Sequence, residues 1–172
     1  MKVLVFGSSG LVGSSLVRNL ENSQQKFETI ASTRNEVDLF SFEKTQKYIN
    51  DLSPDIIINA AAKVGGILAN NSFRTDFILE NLKININILE SIRNLPSINL
   101  INLGSSCIYP LGATMPIAEE SLMTGKLEPT NSPYAMAKLT AIEMGDALSK
   151  EYGHKILNLM PTNLYGPNDN FS

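Results

Sequence analysis

Apolar and polar positions follow two rhythms along this chain. Lys2-Val-Leu-Val-Phe6 is a short apolar run rich in β-formers, whereas from Leu11 the apolar residues Leu11, Val12, Leu16, Val17 and Leu20 fall on one face of a helix. The same switch recurs downstream. It predicts strands near 2–6, 27–32, 55–59, 98–104 and 155–160, a short extra strand around 36–39, and helices over 11–22, 41–51, 73–94 and 134–152. Strand and helix in alternation are the signature of a parallel sheet flanked by helices. Right-handed crossovers then give a doubly wound α/β domain, the NAD(P)-binding Rossmann type, with a ligand crevice at the carboxyl ends of the strands. Residues 1–172 read as one such domain. The irregular stretch 110–133, carrying prolines and glycines, reads as a functional loop over the crevice. Ile78, Leu82, Ile86 and Leu89 form an apolar stripe at helical spacing, which core burial explains as readily as a partner helix does.

The turn between the first strand and helix is Gly7, Ser8, Ser9, Gly10, Leu11, Val12, Gly13. In a dinucleotide-binding turn Gly7 makes the tight bend, Gly10 lets the backbone approach a pyrophosphate, and Gly13 lets helix and strand pack closely. The pyrophosphate then rests on the amides and the positive end of the helix. Strand-to-helix turns also use glycine for conformation alone, so the flanking strand and helix and the chemistry downstream carry the reading. After the second strand, Ala31-Ser-Thr-Arg-Asn35 holds no acid before Glu36. Arg34 can pair with a 2′-phosphate and stack on adenine, which favours NADP(H); the plain alternative is a solvated surface arginine. Asp38 and Leu39 border the adenine. Ala60, Ala61 and Ala62 follow Asn59 and let the backbone pass close to the nicotinamide half.

Tyr134 and Lys138 stand four residues apart, on one face of a helix. A nearby ammonium favours a phenolate, so the tyrosine is expected to fall from about 10 toward working pH. Such a group passes a proton to a carbonyl oxygen, held by Ser105 or Ser106 at the end of an apolar strand, while a nicotinamide supplies hydride. Cys107 is the single cysteine, which excludes an internal disulfide and leaves it a buried filler or a reagent. Lys63 reads as a substrate contact or a solvated loop residue. His154, between the last helix and strand, reads as a surface residue far from the crevice. No metal ligands are assigned.

Composition narrows the classes. The chain has 172 residues, 43% of them hydrophobic, and a net charge of −3 without a basic run. Nothing invites nucleic acid or an anionic membrane. No apolar stretch approaches the about 20 residues of a membrane span, and Met1-Lys2 leads into a strand without a signal-peptide pattern, so the reading is cytoplasmic.

Four stretches add a resemblance: Ala60-Ala-Ala-Lys-Val-Gly-Gly-Ile67 with Ala69-Asn-Asn71, Gly104-Ser-Ser-Cys-Ile-Tyr-Pro110, Leu127-Glu-Pro-Thr-Asn-Ser-Pro-Tyr-Ala135, and Met160 through Phe171. With them the chain resembles the amino-terminal part of the GDP-L-fucose synthases, within the extended short-chain dehydrogenase/reductases. The resemblance implies NADP(H) as cofactor and GDP-4-keto-6-deoxy-D-mannose as substrate, epimerised at C3 and C5 and then reduced at C4. It makes Ser105 the hydroxyl on the C4 keto oxygen, Tyr134 the proton donor, Lys138 the ribose anchor and Cys107 the base beside the carbonyl. Leu103, Gly104, Ser105 and Ser106, with Pro161, Thr162, Asn163 and Leu164, would line the nicotinamide, Asn163 also facing the sugar. A homodimer would form through the helices near 73–94 and 134–152.

Residues 161–172 would begin the substrate region, and the family's histidine acid and carboxy-terminal substrate domain would follow Ser172. The chain alone is therefore expected to bind NADPH weakly and not to turn over the sugar nucleotide. Leu111, Met115, Ile117, Leu164 and Phe171 are expected to be disordered or buried against a second copy. A different extended dehydrogenase acting on a nucleotide sugar, and a non-catalytic NADP-binding or assembly fragment, are the alternatives.

Overall fold

Val3, Leu4, Val5 and Phe6 are all fully buried, which requires apolar cover on both faces of the strand they form. A computed structural model of the chain describes residues 1–167 and Asp169; Phe171 lies outside the described residues. Five parallel strands, β1 (Lys2–Phe6), β2 (Glu28–Ser32), β3 (Ile56–Asn59), β4 (Asn99–Leu103) and β5 (Ile156–Leu159), make one sheet in the order β2-β1-β3-β4-β5. That order reverses direction between β1 and β3, the switch point at which a doubly wound sheet opens a crevice.

The helices are α1 (Leu11–Glu21), α2 (Phe42–Leu52), α3 (Ile67–Ser72), α4 (Arg74–Ile92) and α5 (Ser132–Tyr152). Local signals set their ends. Ser41 caps α2 by accepting from Lys44 N–H, Pro133 stands in the first turn of α5, and Gly153 ends α5 at φ 77°. One face of the sheet buries Leu4, Phe6, Ile57 and Leu100 against Ile49, Ile84, Ile88, Ile92, Ala141 and Leu148 of α2, α4 and α5. The other packs Val3, Val5 and Ile58 on Leu16, Val17 and Leu20 of α1. Beyond α1 no described residue covers that face fully: Leu157 and Leu159 of β5 are 54% and 42% exposed.

Several expectations change. No strand forms at 36–39; Val37 turns into the core and its N–H closes a helical turn on Thr33 O. The helix expected over 73–94 forms as α4, and an unexpected short helix, α3, precedes it, tied where Asn70 Nδ2 donates to Gly65 O and Gly66 O. Of the stripe on α4, Leu89 is buried and Ile78, Leu82 and Ile86 are half-buried beside the core-facing Phe77, Ile84 and Ile88. His154 is no surface residue. It is buried, with Nε2 3.0 Å from Arg93 O, because the end of α4 closes over the turn that follows α5. Lys63 is half-buried rather than fully solvated: it pairs with Glu80 at 2.8 Å and lies over the Phe77 ring. In the 110–133 loop Leu111 and Met115 are largely exposed and Ile117 less so, as is Leu164 after β5.

Candidate active site

A crevice of about 990 Å³ opens at the carboxyl ends of β1, β2, β3 and β4, large enough for most of a dinucleotide. Its floor begins at the glycine turn. Gly7 has φ 74°, and a Cβ there would fall 2.7 Å from Ala61 N. Gly13 is buried under the same turn, and a Cβ on it would meet Gly7 O at 2.1 Å. Gly10 differs. Its φ of −77° suits any residue and a Cβ there would touch only Gly7 O at 3.5 Å, yet it lines the crevice. The side chain it lacks would project into the space a ligand needs, which is the cradle expected beneath a pyrophosphate. Ser9, Leu11 and Val12 line the wall beside it, while Ser8 is buried and donates its N–H to Ser32 O. The start of α1 has no side-chain cap and no acid in its first turn, so its positive end is left for an anion.

Beyond β2, exposed Arg34 and Asp38 and half-buried Leu39 all line the crevice. Asp38 is engaged internally: Oδ1 accepts from Phe40 N–H at 3.0 Å, and Lys44 Nζ lies 3.9 Å from Oδ2. Past β3, Ala60, Ala61 and Ala62 form the opposite wall. The side chains that hold this wall were not foreseen. Asn59 Oδ1 accepts from Ala61 N–H, and Asn59 Nδ2 donates to Asn85 Oδ1 at 3.0 Å and Asn102 Oδ1 at 3.3 Å. Asn102 Nδ2 continues to Asn158 Oδ1 at 3.1 Å. Asn59, Asn102 and Asn158 are partners in the sheet register, so they form a polar rung beneath the crevice. Their signal in the sequence was an asparagine near the end of each of three apolar strands.

Leu103, Gly104, Ser105, Tyr134 and Lys138 close one end, with Pro161, Thr162, Asn163 and Leu164 alongside. Ser106 and Cys107 do not line the crevice; they start a 3₁₀ turn, Ser106–Ile108, capped by Ser105 Oγ, which accepts from Cys107 N–H. The extended residue Ser105 thus presents its hydroxyl at the wall while Ser106 turns away, its N–H bonded to Pro161 O.

Tyr134 and Lys138 stand together as the helical spacing requires, with Lys138 Nζ 5.7 Å from the centre of the phenol ring. The expected electrostatics do not follow. Burial, and then the neighbouring Cys107, push the Tyr134 pKa up to about 12, against a hydrogen bond with Ser105 that lowers it. Lys138 is buried and donates to Leu103 O at 2.7 Å, and burial pushes it down to about 8. The ammonium is directed at a carbonyl and at the ring face rather than at the phenol oxygen. Phe77 meets the Tyr134 ring edge-on at 6.4 Å and fixes its tilt.

Residues 3–172 match the profile described as the NAD dependent epimerase/dehydratase family. A GDP-L-fucose synthase from Sinorhizobium fredii is 45% identical over 99% of this chain and 54% of that protein. The GDP-D-glycero-L-gluco-heptose synthase structure from Campylobacter jejuni, determined in the presence of NADPH, superposes with a TM-score of 0.92 at 31% identity, over 99% of this chain and 50% of that one. A GDP-L-fucose synthetase from Naegleria fowleri bound to NADP gives 0.87 at 30% identity, over 99% and 56%. The chain spans about half the length of the curated relatives it matches.

Proposed function

The chain belongs to the NAD dependent epimerase/dehydratase family, and we propose that it is the NADP(H)-binding half of a GDP-L-fucose synthase. The observation that carries this reading is one crevice with a glycine cradle and Arg34 at one end and Ser105, Tyr134 and Lys138 at the other, Cys107 standing just behind. The names of its relatives support the substrate class, GDP-linked sugars, and the solved relatives with NADP or NADPH support the cofactor.

The glycine turn and the start of α1 hold the pyrophosphate, Arg34 the 2′-phosphate, Lys138 the nicotinamide ribose, and Ala60–Ala62 with Pro161–Leu164 the nicotinamide. When bound, the cofactor supplies hydride to C4. Ser105 donates its hydroxyl to the keto oxygen. Tyr134, kept neutral at pH 7 by burial, delivers the proton that this oxygen takes up on reduction, so its raised pKa suits the reductive direction. Cys107 is the base for the C3 and C5 protons acidified by the ketone, and because it stands off the crevice wall it must reach them past the Ser105 turn. Reduction then locks the new configuration. The partly exposed faces of α4 and α5, including Ile78, Leu82 and Met136, are the surface through which two such chains pair. The compartment is the cytoplasm.

The test uses a protein of the relatives' length. Tyr134→Phe abolishes reduction yet leaves exchange of C3 and C5 hydrogens with deuterated solvent, whereas Cys107→Ser abolishes exchange yet reduces a sugar supplied already epimerised. Exchange that survives in Cys107→Ser leaves the thiol a packing residue. A protein that neither exchanges nor reduces the 4-keto sugar refutes the assignment.

A further inference from the structure

The turn after β2 is built around a carboxylate. Glu36 Oε2 accepts from Thr33 twice, from the backbone N–H at 2.7 Å and from the hydroxyl at 2.6 Å. Val37 N–H bonds Thr33 O at 3.3 Å, so residues 33–37 form a single helical turn. An acid accepting the backbone N–H three residues before it is the acid half of a helix capping box, shortened here to one turn, with Thr33 Oγ1 accepting from Asn35 N–H at 3.2 Å. Both ends are anchored: Ser32 is buried as the last residue of β2, and Val37 is buried in the main core. Between them Arg34 and Asn35 are exposed and line the crevice, whereas Glu36 does not. The bonds from Thr33 hold the Glu36 carboxyl below its ordinary range, so it remains a carboxylate acceptor through neutral pH.

An acid just past the second strand is the group that accepts a ribose 2′-hydroxyl in NAD-specific sites. Glu36 is the first acid in that stretch, and it is turned back onto its own turn. We propose that Glu36 is a specificity-determining positioning residue. By bonding Thr33 it keeps its charge off the ribose position and holds the 33–37 turn in the shape that presents Arg34 to a 2′-phosphate. The other nearby acid, Asp38, is likewise engaged, with Phe40 N–H and Lys44. This inference rests on the NADP(H) reading of the crevice.

Cofactor binding to this chain tests it, with NADPH and NADH titrated by fluorescence against wild type, Glu36→Ala, Glu36→Gln, Arg34→Ala and the Arg34/Glu36 double alanine variant. Glu36→Ala is expected to weaken NADPH about fivefold, the loss that a missing cap produces, with NADH changed less than about twofold. Glu36→Gln keeps an acceptor oxygen and should stay within about twofold of wild type. The double variant should be no weaker for NADPH than Arg34→Ala alone, because Glu36 acts through Arg34. Thermal melts of each variant confirm that the fold is intact.

Equal weakening of both cofactors by Glu36→Ala overturns the proposal in favour of general turn stability. Tighter NADPH binding by Glu36→Ala or Glu36→Gln overturns it in favour of simple repulsion, and no change in either cofactor overturns it outright. A wild-type chain that prefers NADH or binds neither cofactor removes the NADP(H) reading itself, and the inference with it.

Discussion

The two ends of the crevice are built on different principles. At the adenosine end the working groups come from two short continuous segments, Gly7–Gly13 and Thr33–Leu39, and act largely through backbone shape and exposed polar side chains. At the reacting end Leu103, Ser105, Tyr134 and Lys138 come from β4, the turn after it and α5, and their behaviour depends on burial. The first end can be rebuilt by local geometry. The second exists only when the whole sheet and α5 are in place, so its electrostatics are set by long-range packing.

The largest effect should separate backbone shape from ligand space at the first end. Gly13→Ala drives a Cβ into Gly7 O, and a rigid backbone contact at 2.1 Å cannot yield. It is expected to destabilise the chain by about 3 kcal/mol or more in urea unfolding. Gly10→Ala meets no such contact, so it should leave the unfolding midpoint unchanged or slightly raised while weakening NADPH binding. Parallel losses of stability in the two variants would break the distinction between a packing glycine and a cradle glycine.

At the reacting end the next largest effect concerns Lys138. Its folded pKa of about 8 lies below the ordinary 10.5, so between those values the unfolded chain holds more protons and stability rises with pH. Below pH 8 the buried ammonium opposes folding. Lys138→Met should therefore stabilise the chain at pH 7 by about 2 kcal/mol, and the gain should fade toward pH 10. A variant whose advantage is constant across that range would mean that Lys138 is not held at a lowered pKa.

Tyr134 shifts in the opposite direction, with a smaller effect. Between pH 10 and about 12 the folded chain keeps a phenolic proton that the unfolded chain has lost, so stability falls as pH rises. By pH 11 wild type should have lost about 1 kcal/mol relative to Tyr134→Phe, measured against their difference at pH 9. Equal slopes would place the tyrosine at its ordinary value, and only a wild type that gains on Tyr134→Phe as pH rises toward 10 would restore the expectation of an activated phenol.

The same contrast explains what the sequence made legible. Strand and helix order, the glycine turn, Arg34 and the Tyr134/Lys138 pair are encoded by spacing within one element, and the structure places each of them on the crevice. What escaped depends on single side-chain hydrogen bonds and packing contacts that no apolar period marks. Helix α3 is tied by Asn70 to Gly65 and Gly66, the 33–37 turn by Glu36, and the alanine wall by the Asn59 rung. His154 is buried by the end of α4, which lies 61 residues away in sequence. The tyrosine pKa rises instead of falling chiefly because the phenol is buried, which helical spacing does not reveal, and the nearby Lys138 ammonium is bonded to Leu103 O.

Calorimetric titration of this chain with NADPH and with NADH, in wild type and in Arg34→Ala, tests the central claim most directly. The account predicts one site per chain that prefers NADPH by about 10- to 150-fold, the range of a charge-assisted hydrogen bond, and an Arg34→Ala variant that loses this preference without weakening NADH. A chain that binds neither cofactor, or that binds both alike with Arg34 present, would contradict it.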